Sequence, residues 1–179
     1  MTRAGAVYGQ SLYVLAKEEG LEDVILQQLQ VLSDCFAQQP DYIKLLSSHE
    51  LPKQERTALL EEAFRGKVHL YVLNFLKLLT EKGYIRDFSD SCKAFNEQYN
   101  ADKGILAVKV VSAAALTDGQ KQKLTEKLTA ITGKQIQLLC REDPSVLGGV
   151  RLNFDGKQVD GTVQSRLAEM EKRLKNTVL

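Results

Sequence analysis

The side chains in this 179-residue sequence that could do chemistry are few and scattered. The three cysteines, Cys35, Cys92 and Cys140, form no CxxC pair and have no histidine at a ligand-like spacing. Cys35 adjoins Phe36, and Cys92 and Cys140 fall on apolar stripes, so each is expected to pack in a core. An odd number of separated cysteines suits a reducing compartment. His49 and His69 stand in different segments and read as surface or capping residues. Glu18-Glu19 and Glu61-Glu62 are adjacent, so on a helix each pair diverges by about 100° and cannot face one substrate. Gly66-Lys67 and Gly156-Lys157 lack the first glycine and the hydroxyl residue of a phosphate loop. No GxGxxG, HExxH or GxSxG occurs. Arg166, Lys172, Arg173 and Lys175 are interspersed with Glu169 and Glu171 and have no aromatic neighbour to stack a base, so they read as a charged helix face. No cofactor, metal or catalytic residue is indicated.

The composition fits a binding or structural protein. Apolar residues make up 44% and charged residues 26%, enough to fill a core beneath a solvated surface. The net charge of +1 excludes a generally basic nucleic-acid coat. Residues 1–103 carry 12 Lys/Arg against 15 Asp/Glu, and residues 104–179 carry 12 against 8. Such opposite signs suit surfaces with different partners. No window approaches the 18 or so apolar residues of a membrane span, and the start lacks a signal-peptide core. A soluble chain that reaches a membrane only through partners is expected.

Periodicity places the elements. Tyr8, Leu12 and Leu15 share a helix face that Gly20 terminates. Ile25, Leu29, Leu32 and Phe36 mark a second helix, ended by Pro40. A short helical turn carries Tyr42, Leu45 and Leu46. Pro52 begins a helix with Leu59, Leu60, Ala63 and Phe64, closed by Gly66. From Val68 to Thr80 apolar residues cover nearly every face, as in a helix that lies inside a bundle or offers one side to a partner. Ile85, Phe88, Cys92, Phe95 and Tyr99 line a sixth helix. At Gly104 the period changes. Ile105–Val111 reads as a strand. Thr117 and Gln120 form a capping box for a helix with Leu124, Leu128 and Ile131 on one face, stopped by Gly133. Ile136, Leu138 and Cys140 alternate as a second strand. Residues 150–159 read as a hairpin around Asp155-Gly156. A last helix from Thr162 to Lys175 carries Val163, Leu167, Met170 and Leu174. The expected fold is α+β: an N-terminal six-helix bundle over 1–103, then a small β-α-β-β-α domain over 104–179.

Asp143-Pro144-Ser145-Val146-Leu147-Gly148-Gly149-Val150-Arg151-Leu152, with Asp155-Gly156 and Asp160-Gly161-Thr162 downstream, resembles the C-terminal signature of the F-type ATP synthase delta subunit family. That family includes the mitochondrial oligomycin-sensitivity-conferring protein. Asn74–Gly83 resembles the family's fifth helix, and Val7–Tyr13 its opening Tyr-Ala-x-Ala-Leu. The resemblance spans essentially the whole chain. Tyr84 replaces a frequent Arg, Thr162 a usual Ser and Gly9 a usual Ala; the last is expected to cost up to about 1 kcal/mol in a helix. Gly148 and Gly149 are read as a sharp bend, and Asp160 or Thr162 as the cap of the last helix.

The resemblance implies a non-catalytic stator present in single copy. Its helical domain would hold the N-terminal segments of the alpha subunits. Its C-terminal domain would meet the peripheral-stalk b subunits at the cytoplasmic face of the cell membrane. Tyr8, Leu12 and Leu15 with Val72, Phe75, Leu76 and Leu79 are the candidate groove for an alpha N-terminal helix. Val163, Leu167, Met170 and Leu174 are the candidate stalk contact. Gly148, Gly149, Asp160 and Gly161 are structural marks. The competing reading is an RNA-binding or regulatory adaptor, which predicts steeply salt-dependent RNA binding.

Overall fold

A computed structural model describes residues 1–48, 50–146, 148–154 and 156–162, without the side chain of Lys157. His49, Leu147, Asp155 and nearly all of the expected last helix, with Val163, Leu167, Met170 and Leu174, lie outside these residues. The chain is mixed helix and sheet and divides into two units, Met1–Tyr99 and Asn100–Leu179.

The first unit contains α1 (Arg3–Glu18), α2 (Glu22–Gln38), α3 (Pro40–Ser47), α4 (Lys53–Phe64), α5 (Leu70–Lys82), a 3-10 turn (Ile85–Asp87) and most of α6 (Phe88–Asp102). Local chemistry sets the helix ends. The Thr2 hydroxyl caps α1 by accepting from the Gly5 N–H at 3.1 Å. The Thr2 N–H donates to Asp90 Oδ2 at 2.7 Å, fastening the start of α1 to α6. His69 caps α5 through Nδ1, which accepts from the Tyr71 N–H at 3.3 Å, in keeping with the capping role expected of it. Gly83 closes α5 in the left-handed conformation, with the Tyr84 N–H reaching back to the Leu79 carbonyl at 2.7 Å. Pro40 sits at the start of α3, so it divides two helices as well as ending one.

All these helices contribute to one apolar cluster: Leu12 from α1, Ile25 from α2, Leu46 from α3, Leu60 from α4, Leu76 from α5 and Phe95 from α6 are all buried. Tyr13 and Phe95 meet edge to face at 5.3 Å, tying α1 to α6. Close by, a methyl group on Gly9 would stand 2.2 Å from the Ser91 carbonyl oxygen and 2.8 Å from Ala94 Cβ. Gly9 therefore permits the α1–α6 crossing, and a Cβ there would force the helices apart.

The second unit contains β1 (Ile105–Ser112), α7 (Asp118–Thr132), β2 (Gln135–Glu142), β3 (Val150–Phe154) and β4 (Lys157–Asp160). The sheet order is β2-β1-β3-β4. β1 and β2 are parallel with Val108 opposite Leu138, and α7 makes the crossover between them. β3 is antiparallel to β1, and β4 to β3. The expected capping box is present: Thr117 Oγ1 accepts from the Gln120 N–H, and Gln120 Oε1 accepts from the Thr117 N–H. Leu106, Val108 and Val110 on β1 are buried with Leu128 of α7 and Leu152 of β3.

Three core expectations are overturned. Cys35 is exposed, because its neighbour Phe36 takes the inward position on α2 and the next residue on a helix turns away. Cys140 is exposed at the end of the edge strand β2, which is half-buried only at Ile136 and Leu138. Ile131, in the last turn of α7, is 81% exposed, one turn beyond the last residue this helix buries, Leu128. Cys92 is half-buried, and burial pushes its thiol up to about 12, so it stays protonated and unreactive at neutral pH.

Candidate partner-binding site

The signature residues converge on one corner of the second unit. Asp143 makes a tight turn, its Oδ1 accepting from the Ser145 N–H at 3.0 Å and the Ser145 hydroxyl at 2.7 Å. Val146 then buries its side chain. Gly149 follows at φ 82° and enters β3. Its position faces the far end of the hairpin, where a Cβ would stand 2.4 Å from the Gly161 carbonyl oxygen. The Gly161 N–H donates to the Val150 carbonyl at 3.0 Å, holding the two glycine corners together. Asp160 locks the exit, with Oδ1 accepting from the Thr162 N–H at 2.9 Å and Oδ2 from Arg151 Nε at 3.3 Å. Thr162 is buried. Gly148, Gly149, Asp160 and Gly161 thus shape the backbone.

The bonds from Thr162, and then the Arg151 guanidinium, hold the Asp160 carboxyl below the usual aspartate range. A depressed folded pKa means that the contact stabilises fully above the ordinary range and is lost as pH falls through the lowered value. Asp160→Asn is accordingly expected to flatten the acid limb of the unfolding-pH profile of the second unit. Hydrogen exchange of the second unit's amides, followed from neutral pH down to below the ordinary aspartate range, measures this, and an unchanged acid limb counts against the lock.

The candidate groove residues are placed differently from one another. Leu12, Val72, Phe75, Leu76 and Leu79 all lie in the helical core, so they are not open to a partner in this conformation. Tyr8 is partly buried against that core, and Leu15 is 37% exposed. The accessible apolar surface nearby comes from residues that periodicity did not single out. Tyr8 packs against Tyr84, one residue past the α5 cap, with ring centroids 5.7 Å apart. Val7 and Val14 are exposed on α1, and Leu78 is 39% exposed on α5. Leu78 had a visible signal, since an all-round apolar helix must leave some residues outward. Val14 had none, because it adjoins the Leu15 stripe without extending its period.

Among the described residues no group of three or more His, Cys, Asp or Glu could hold a metal ion, and no helix is long and apolar enough to cross a membrane. The arrangement offers packed faces and capped turns.

The family model for the ATP synthase delta (OSCP) subunit matches residues 5–174. The chain belongs to this family. The delta subunit of Clostridium kluyveri is 28% identical over 165 residues, covering 92% of this chain and 91% of the relative. That of Clostridioides difficile is 29% identical over 172 residues, covering 96% and 95%. A chain in the cryo-EM structure of the Toxoplasma gondii mitochondrial ATP synthase hexamer superposes with a TM-score of 0.77 at 18% identity, over 97% of this chain and 98% of that one. At that identity the likeness establishes the fold. Delta (OSCP) subunits are structural components of a rotary ATP synthase, so this chain is a stator subunit and not an enzyme. Family membership favours that role over the RNA-binding adaptor.

Proposed function

We propose that the delta-type chain ties the catalytic head to the peripheral stalk by holding a different partner on each of its two units. The helical unit takes the N-terminal segments of the alpha subunits. Residues 104–179 take the b subunits, through the stripe Val163, Leu167, Met170 and Leu174. Membrane contact is indirect, at the cytoplasmic face of the cell membrane and through these partners.

What supports this reading is the exposed apolar surface of α1 and α5 in a chain of this family. Leu15 and Leu78 are partly exposed, and Tyr8 is anchored beside Tyr84. An amphipathic alpha segment would bury Tyr8, Leu15, Leu78 and Tyr84. Leu12, Val72, Phe75, Leu76 and Leu79 form the packed layer behind them. Their role is then rigidity: a connector under torque transmits force only if its bonding surface does not yield. Two moderate contacts on one chain gain avidity from effective concentration, so neither has to be tight alone.

The test is titration of a synthetic alpha N-terminal peptide into the full chain. Saturable binding is expected, and Leu15→Asp is expected to weaken it about tenfold, or ~1.4 kcal/mol. Because Leu15 is partly exposed, the variant should unfold at nearly the same denaturant concentration as the parent. Absence of saturable binding removes the alpha assignment. For the stalk, Leu167→Asp with Met170→Asp should abolish pull-down of the b subunits, and retained pull-down rejects that surface.

A further inference from the structure

The outer edge of β2 is open to strand pairing. Among the described residues no strand lies beyond it, since β2 ends the sheet order β2-β1-β3-β4. Its pairing with β1 runs unbroken from Gln135 opposite Ile105 to Glu142 opposite Ser112, so no bulge turns the edge away. Two bonds fix which backbone groups face outward. The Gln135 N–H donates to the Gly104 carbonyl at 3.0 Å, and the Asp143 N–H donates to the Ser112 carbonyl at 2.9 Å. Odd-numbered residues therefore turn toward β1, and the N–H and C=O groups of Ile136, Leu138, Cys140 and Glu142 point away from it.

The usual protections of an edge are missing from this strand. It holds no proline, and Gln135-Ile136-Gln137-Leu138-Leu139-Cys140 carries no charge. Ile136 and Leu138 pack half-buried against the core of β1, and Cys140, on the same face, is exposed. Among the described residues the apolar layer thus reaches the edge of the sheet and ends there uncovered.

We infer that β2 pairs antiparallel with β2 of a second copy of this chain while the chain is outside the complex, joining the two sheets into one. A two-fold axis at Leu138 sets Leu138 against Leu138 and Ile136 against Cys140. These are pairs of outward-facing residues, as a hydrogen-bonded antiparallel pair requires. Their side chains carry the apolar face of β1 across the axis. The same axis brings Lys134, just before β2, beside Glu142 at its far end, and both are exposed. The strand is therefore complementary to itself in charge as well as in apolar character. Sliding the copies by two residues sets Glu142 against Ile136, or Cys140 against Lys134, so these side chains select the central register.

Sedimentation equilibrium of the full chain is expected to show a reversible dimer as concentration rises through the micromolar range. The amides of Ile136, Leu138 and Cys140 should gain protection from hydrogen exchange over the same range. Cys140→Pro removes an outward N–H and leaves the β1 ladder intact, as proline on an edge strand can. It should weaken association about thirtyfold, because two ladder bonds are lost per dimer. Glu142→Lys should weaken it about fivefold, and adding Lys134→Glu should restore it. The register has its own readout. In the full chain carrying Cys35→Ser and Ile136→Cys, diamide should link two chains, because a hydrogen-bonded pair lies about 5.5 Å apart at Cα, within disulfide reach. Cys35→Ser alone should not link, since Cys92 is shielded by burial and the two copies of Cys140 stand well apart in this register. A chain that stays monomeric throughout overturns the inference, as does a dimer indifferent to both Cys140→Pro and Glu142→Lys. Linking through Cys140 alone overturns the register. Edge-amide protection independent of chain concentration would make a segment of the same chain the occupant and overturn the pairing of copies.

Discussion

Gly149→Ala is expected to destabilise the second unit by about 2–4 kcal/mol. Two costs add at this residue. Its φ of 82° lies where an L side chain is strained by about 1–2 kcal/mol. The new methyl would also meet the Gly161 carbonyl at 2.4 Å, and a backbone atom cannot rotate aside. Separating the two corners strains the Gly161–Val150 hydrogen bond and the entry to β3. Hydrogen exchange on the full chain measures the result. The amides of β1 should exchange faster while those of α5 keep their protection. Equal protection of β1 in parent and variant would refute the close approach.

Gly9→Ala opposes two effects of known size. Alanine is the better helix former by about 1 kcal/mol, so propensity alone predicts a gain. The methyl would, however, fall 2.2 Å from the Ser91 carbonyl. Relieving that contact means moving α1 off α6 and loosening the Tyr13–Phe95 pair, an overpacking strain on the order of 3 kcal/mol. The packing term wins, leaving a net loss of about 2 kcal/mol. Urea unfolding followed by helical circular dichroism tests the sign: a midpoint at or above that of the parent would show that the helices separate without cost.

Elements whose signals are local were readable before any coordinates. The Thr117–Gln120 capping box, the stops at Gly20, Gly83 and Gly133, and the period change at Gly104 all act within a few residues, and each is found at its expected place. Burial at stripe edges was less readable, since it depends on what packs opposite. Ile131 continues the period of Leu124 and Leu128 yet extends beyond the covered part of its helix. Cys140 alternates correctly on β2, but among the described residues nothing buries its end of that strand, where Leu139 to Glu142 are all exposed. Gly9 shows the same limit from the other side. Its propensity cost is local and visible, whereas its clearance from Ser91 arises from a residue more than eighty positions away.

The candidate site follows this rule too. The apolar excess of Val68–Leu79 announces that some of it faces outward, but the period cannot divide core from surface on a helix apolar all round. The structure makes that division, with Leu76 and Leu79 inside and Leu70 and Leu78 outside. At the entry to β3, Gly148 and Gly149 take positive φ, which side chains other than glycine rarely adopt, and the Asp160 carboxylate accepts from the Thr162 N–H.

The position of β1 bears on how the chain matures at the ribosome. β1 lies between β2 and β3, yet it is the first strand to be synthesised. Its two edges stay unpaired until translation has delivered Glu142 on one side and Phe154 on the other. The helices before it bury their apolar faces mainly among themselves and can fold while that wait continues. A nascent strand rich in valine with both edges bare is the stretch most open to wrong pairing, so the window between residues 112 and 154 is where a chaperone would be of most use.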